Sequence, residues 1–205
     1  ICCCEKAFYY LFSKSTNLVL MAEASSSLEQ ECIDVVQLLK SRQINFLALD
    51  FDLTILNVHT GGAWKGTPAE LVSHVRPLFL HLMSHARALG VHVAVVTFSP
   101  QVPMIRAVLN ALLPDHAASI PIRGADRTWV YEGRGSHDGK QPHMASAVEE
   151  ILAAEPGATI TRRSTLLVDD DANNIKVALG EGVRAIWLNP KEEGRLLGNI
   201  RELLE

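Results

Sequence analysis

Asp50 and Asp52 follow directly on a short apolar run, Phe46-Leu47-Ala48-Leu49, with one residue between them. Three more acids, Asp169, Asp170 and Asp171, follow a second run, Leu166-Leu167-Val168, with Asn173 and Asn174 close behind. Thr97 ends a third run, and Lys140 stands in a polar stretch that leads into a helical pattern. These residue types suit phosphoryl transfer. A carboxylate such as Asp50 can attack phosphorus and form an acyl phosphate, which divides one hard hydrolysis into two easier steps. Asp52 can protonate the leaving oxygen and later take a proton from water. Thr97 can donate a hydrogen bond to a phosphoryl oxygen, and Lys140 can offset negative charge. Asp50 and Asp170 repel each other unless a cation lies between them. A hard ion such as Mg²⁺ supplies that charge and also binds phosphate oxygen. The set holds the parts that in-line phosphoryl transfer needs.

These groups meet only if their runs are neighbouring strands, because ligands of open parallel sheets bind beyond the carboxyl ends of the strands. The sequence has that rhythm. Leu28, Cys32, Val35, Val36 and Leu39 recur at helical spacing, and Ser27 is the predicted cap. Phe46 to Asp50 reads as a strand buried on both faces. A Gly-rich loop follows, Thr60-Gly61-Gly62-Ala63-Trp64-Lys65-Gly66, a candidate flap with Trp64 as a candidate substrate contact. Thr67-Pro68 opens a helix predicted to run to about Leu89, where Gly90 stops it. Strands are predicted at 91–97, 119–122, 165–168 and 183–188, and helices at 103–113, 142–154, 172–179 (closed by Gly180) and 192–204. Residues 128–131 read as an excursion or hairpin. Strands alternating with helices predict an α/β fold, one three-layer Rossmann-like domain with a central parallel sheet.

Composition narrows the function classes. The chain has 205 residues, 48% of them hydrophobic and 20% charged, which is a globular balance. A formal charge of −4 gives no electrostatic case for general binding to nucleic acid or membranes. Residues 1–24 are expected to be an extension outside the fold, with 25–205 as the domain. The apolar stretch around Phe8 to Phe12 falls well short of the roughly 20 residues of a membrane span. The run Cys2-Cys3-Cys4 is not a disulfide framework, so a cytoplasmic setting is expected, with acylation of that run as the minor alternative. His74, His81 and His85 are predicted to share one helix face. No Glu stands at the zinc-protease position between them, so they read as a packing or solvated face.

The motifs together resemble those of the haloacid dehalogenase (HAD) superfamily of phosphohydrolases. The resemblance covers roughly residues 45–190. It rests on Asp50-Phe51-Asp52-Leu53-Thr54 after one strand, Val93-Ala94-Val95-Val96-Thr97, Lys140, and Leu166-Leu167-Val168-Asp169-Asp170 with Asn174 beyond. It implies that Asp50 is nucleophile and metal ligand, and that Asp52 is the acid–base residue, with its main-chain carbonyl a second ligand. It further implies that Thr97 and Lys140 bind phosphate and that Asp170 binds Mg²⁺. Asp169 and Asn174 are neighbours that bind the metal directly or through water, and the register within 169–171 is open by one residue. An acid at Asp52 favours phosphate chemistry over carbon–halogen cleavage. The 42 residues between Thr54 and Thr97, and the 42 between Thr97 and Lys140, hold no full cap domain. The site therefore resembles that of capless members, which accept large substrates such as phosphoproteins. Two other readings use the same residues. One is a catalytically silent phosphate-binding or scaffold protein on this fold. The other is a receiver domain, in which paired acids come first and the Lys last; here Lys140 precedes the acidic triplet.

Overall fold

The computed structural model describes residues 25–205; the expected extension and Cys2, Cys3 and Cys4 lie outside the described residues. Five strands form one parallel sheet: β1 (Phe46–Leu49), β2 (His92–Val96), β3 (Ile122–Arg123), β4 (Thr165–Asp169) and β5 (Arg184–Trp187). Their order is β3-β2-β1-β4-β5, which puts β1 at the centre. Leu49 is level with Val95 of β2 on one side and Val168 of β4 on the other. The residues that follow these three strands therefore emerge side by side. The strand order changes direction between β1 and β4, the place where open α/β sheets bind ligands.

Seven helices accompany the sheet. They are α1 (residues 25–41), α2 (Pro68–Val72), α3 (Pro77–Ala88), α4 (Val102–Leu112), α5 (Gln141–Ala154), α6 (Ala172–Gly180) and α7 (Leu196–Leu204). Alternate strand residues divide the core in two. Leu47, Leu49, Val93, Val95, Leu166 and Val168 pack with apolar side chains of α1, α3, α4 and α7. Phe46, Ala48, Ala94, Val96 and Leu167 face the other way, against α5 and α6. This two-sided burial explains why the strands read as unbroken apolar runs. The sequence expectation of a three-layer α/β architecture agrees with the structure. The stretches between Thr54 and Thr97, and between Thr97 and Lys140, form helices, loops and the short strand β3, with no additional folded unit. No helix among the described residues is long and apolar enough to cross a membrane.

Several local expectations need correction. The helix predicted from Thr67 to Leu89 is two helices. Thr67 and Pro68 open a helix as expected, with Thr67 in a capping box with Glu70, but α2 ends at Val72. Arg76 is extended (φ −67°, ψ 126°) because the proline at 77 crowds a helical residue before it. Residue 27 lies inside α1 and does not cap it. Gly180 belongs to α6, and the left-handed residue after that helix is Gly182. Residues 128–131 form no strand.

The break before α3 has a structural purpose. Arg76 is buried, and its guanidinium donates to the carbonyls of Thr54 (3.1 Å), Leu56 (3.3 Å), Leu53 (3.4 Å) and Pro190 (3.1 Å), and pairs with Glu193. One side chain thus fastens the loop after β1 to the loop after β5. We predict that Arg76→Met costs about 3–5 kcal/mol in chemical denaturation, since it strands several carbonyls that accept from no other group among the described residues. Glu193→Gln should cost under about 1 kcal/mol, because Glu193 is itself 41% exposed. Equal losses would show that the ion pair, not the carbonyl clamp, is what matters.

Candidate active site

The loop that carries Asp50 and Asp52 is a single wide turn, Phe51–Ile55, interrupted at Asp52 (φ −69°, ψ 134°) and Leu53 (φ 58°). A left-handed Leu costs on the order of 1 kcal/mol, and Arg76 holds the carbonyls of Leu53 itself and of Thr54 after it. The turn aims both acids into one cavity of about 390 Å³, whose lining includes Asp50, Asp52, Thr97, Lys140, Asp170 and Asn174. The acids, Thr97, Lys140 and Asn174 picked out in the sequence are brought together at this edge of the sheet; Trp64 is not.

Asp50 is 6% exposed and Lys140 is 1% exposed. Lys140 caps α5, and its ammonium donates to Asp50 Oδ1 and to the Val96 carbonyl (3.0 Å), with Asp169 Oδ2 at 3.5 Å. Burial works against the ammonium, but Asp50 and Asp169 outweigh it and hold Lys140 above its ordinary pKa. The Asp50 carboxyl is pushed up to about 7, first by burial and then by Asp169 and Asp170, with Lys140 opposing. Asp170 is also raised, by burial and then by Asp169. One lysine does not balance three clustered acids.

Within the acidic triplet the three residues do different things. Asp169 accepts from Asn174 Nδ2 (3.0 and 3.1 Å) and from the Asp171 N–H (2.9 Å). Among the described residues the Asp170 carboxylate meets only Thr54 Oγ1, at 3.5 Å, while its carbonyl accepts from the Trp187 indole (2.6 Å). Asp171 also borders the cavity, but its carboxylate caps α6 through the Asn173 N–H (2.7 Å). Carboxylate oxygens of Asp50, Asp169 and Asp170 lie within 4.8 Å of one another. Asn174 Oδ1 is buried and has no hydrogen-bond partner among the described residues. An all-oxygen donor set with excess negative charge fits a hard divalent cation such as Mg²⁺.

Three features escaped the sequence. Asp52 accepts from the Thr60 N–H (3.2 Å) and from Thr60 Oγ1 (3.0 Å), while Thr60 Oγ1 accepts from Gln101 Nε2 (2.9 Å). A relay therefore runs from α4 through the Gly-rich loop to Asp52. Gly61 and Gly62 of that loop line the cavity, whereas Trp64 does not. Its indole packs edge-on against His74 (5.6 Å) and donates to the Thr67 carbonyl (3.3 Å). The second feature is a set of aromatic rings beyond Thr97, described below. The third is Glu29, which α1 brings to His85 (3.1 Å), so that Glu29, His81 and His85 form a second cluster of ligand-type atoms within 4.8 Å. His74 is not part of it, because it lies in the break between α2 and α3 and pairs with Asn57 (3.1 Å).

No family model matches the sequence, and no curated protein does. Among solved structures, two of the HAD domain of the effector protein Lem4 from Legionella pneumophila, one an inactive mutant, are similar at 17% identity and a TM-score of 0.48. They cover 78% of this chain and 94% and 95% of theirs. An uncharacterized protein from Corynebacterium glutamicum is similar at 17% identity and a TM-score of 0.45, over 78% of this chain and 95% of its own. The function is therefore read from this chain's own residues.

Proposed function

We propose that the protein is a Mg²⁺-dependent phosphomonoester hydrolase of the capless HAD type, with residues 25–205 as its catalytic domain. The observation that carries this reading is the Asp50 carboxylate, buried at the switch point between Lys140 and the pair Asp169–Asp170. Asp50 attacks phosphorus and becomes the aspartyl phosphate. Asp52, held by Thr60, gives a proton to the leaving oxygen and takes one from the water that attacks in the second step. Lys140 favours the ionised form of Asp50 and orients it, and with the Thr97 hydroxyl it meets the phosphoryl oxygens. Asp50, the Asp52 carbonyl and Asp170 would hold the metal, with Asp169 and Asn174 behind them. A bound Mg²⁺ would offset the carboxylates and polarise the phosphoryl group. Among the described residues no folded unit closes over the cavity, which supports access by a large phosphoester such as a phosphoprotein.

The test is hydrolysis of p-nitrophenyl phosphate with Mg²⁺ and after its removal by EDTA. Turnover should fall about 10³-fold or more in EDTA and return with Mg²⁺, as expected for a metal that stabilises transition-state charge. Borohydride trapping should mark Asp50. Metal-independent turnover, or a label on another residue, would sink the mechanism.

A further inference from the structure

A second cavity, of about 280 Å³, opens beside the acid edge. Its lining is mostly aromatic, with Phe98, Trp129, Tyr131 and His143, and includes one cation, Arg127. Phe98 borders both cavities, since it follows Thr97 directly at the end of β2. Its ring lies 4.7 Å from the Lys140 ammonium that binds Asp50. The apolar cavity is therefore one ring away from the proposed nucleophile.

The wall is built around His143, which stands one turn after Lys140 on α5 and is 1% exposed. The rings of Phe98 and Trp129 are each centred 5.0 Å from its imidazole, and that of Tyr131 5.3 Å. Burial, and then the Lys140 charge, push the His143 pKa down to about 3, so the ring is neutral and serves as apolar wall. Trp129 spends its one polar group on the Gly124 carbonyl (2.8 Å). Gly124 is needed there because a Cβ would come within 2.5 Å of the Ser99 carbonyl oxygen. If the cluster served only to fasten an irregular loop to α5, its rings would be covered. Phe98 instead stays 39% exposed and Tyr131 40%, with Val130 at 79% between the cluster's rings in sequence. A concentration of exposed large apolar side chains beside a polar site marks a binding surface.

We propose that this cavity seats the aromatic ring of an aryl phosphomonoester whose phosphate lies at Asp50, so that the protein prefers aryl to alkyl phosphates. The proposal rests on the phosphatase reading above and names its substrate class. The aryl O–P bond breaks as the Asp50 O–P bond forms, and the departing phenolate takes the Asp52 proton. Water then cleaves the acyl phosphate, returning its proton to Asp52 and leaving inorganic phosphate. An edge-to-face or stacked ring contact multiplies binding roughly 2- to 10-fold beyond simple burial.

The experiment compares kcat/KM for phenyl phosphate and ethyl phosphate in the natural protein, Trp129→Ala and Trp129→Phe. The phenyl-to-ethyl ratio should fall about 10- to 50-fold in Trp129→Ala, mostly through KM, because the ring contact is the same in ground and transition states. Trp129→Phe should recover most of it. An unchanged ratio in a folded Trp129→Ala protein overturns the proposal. A phosphotyrosine peptide tested beside phenyl phosphate identifies the source of the ring: a gain above about 10-fold means a protein substrate, and equal rates mean a small aryl phosphate. Should no phosphoester turn over, the phosphatase reading falls, and the cavity is judged by calorimetry with phenylphosphonate and ethylphosphonate. A preference for the phenyl compound that Trp129→Ala removes supports the ring site; equal affinity overturns it.

Discussion

Replacing Asp50 by Asn is expected to abolish turnover and, in the absence of metal, to make the protein more stable. The activity loss should reach about 10⁴-fold or more, since an amide cannot form the acyl phosphate. The stability gain follows from electrostatics. The Asp50 carboxyl has an ordinary value of 3.8 and is raised to about 7 in the fold, by burial first and by Asp169 and Asp170 next. Between these values the folded protein holds a proton that the unfolded chain has released. Stability contributed by this group is therefore full below about pH 4 and is lost as pH rises through about 7. At about 1.4 kcal/mol per unit, a rise of this size is a penalty on the order of 4 kcal/mol at pH 7.5. Asn carries none of it. In EDTA at pH 7.5 the variant's thermal midpoint should lie roughly 10 °C above that of the natural protein, with the gap closing toward pH 4. Saturating Mg²⁺ should narrow or reverse the order, because the natural protein gains from the ion and the variant has lost a ligand. Equal midpoints in EDTA at pH 7.5 would show that the fold does not hold Asp50 against its charge.

What the sequence made legible, and what it did not, divides on physical lines. The runs at 46–49, 92–96 and 165–169 were readable as strands because each is buried on both faces and leaves no polar position to confuse the period. Once those strands are parallel neighbours, Asp50, Thr97 and Asp169–Asp170 must share an edge, and Lys140 at the start of α5 reaches them. The failures are places where a distant segment decides local structure. Helical spacing continues through residues 73–76, yet the chain opens there so that the Arg76 guanidinium can reach carbonyls at 53–56 and 190. Pro77 was the one local sign. The Gln101–Thr60–Asp52 relay and the ring cluster around His143 depend on loops without periodicity, so no spacing rule could place them. Glu29 meets His85 only because α1 packs beside α3, at a separation of 56 residues.

The Thr60 relay makes a sharp prediction for Asp52, which either transfers protons or merely shapes the loop. If it transfers them, Asp52→Asn should slow alkyl phosphates by about 10²–10⁴-fold, the usual worth of general acid–base catalysis. The loss in kcat/KM, which reports the first step, should be much smaller for p-nitrophenyl phosphate, whose leaving group needs no proton. The second step is the same for every substrate and needs a base to activate water. In the variant the aspartyl phosphate should therefore outlive its formation and give a burst of nitrophenol, followed by a slow steady state. A loss that is uniform across leaving groups, with no burst, would reduce Asp52 to a structural acid. Thr60→Val separates the two roles further. It removes the hydroxyl that donates to Asp52 Oδ2 at 3.0 Å but leaves the carboxyl in place. Its cost should be smaller than that of Asp52→Asn and follow the same order of leaving groups, because a misaimed acid, like an absent one, slows only the transfers in which a proton is needed.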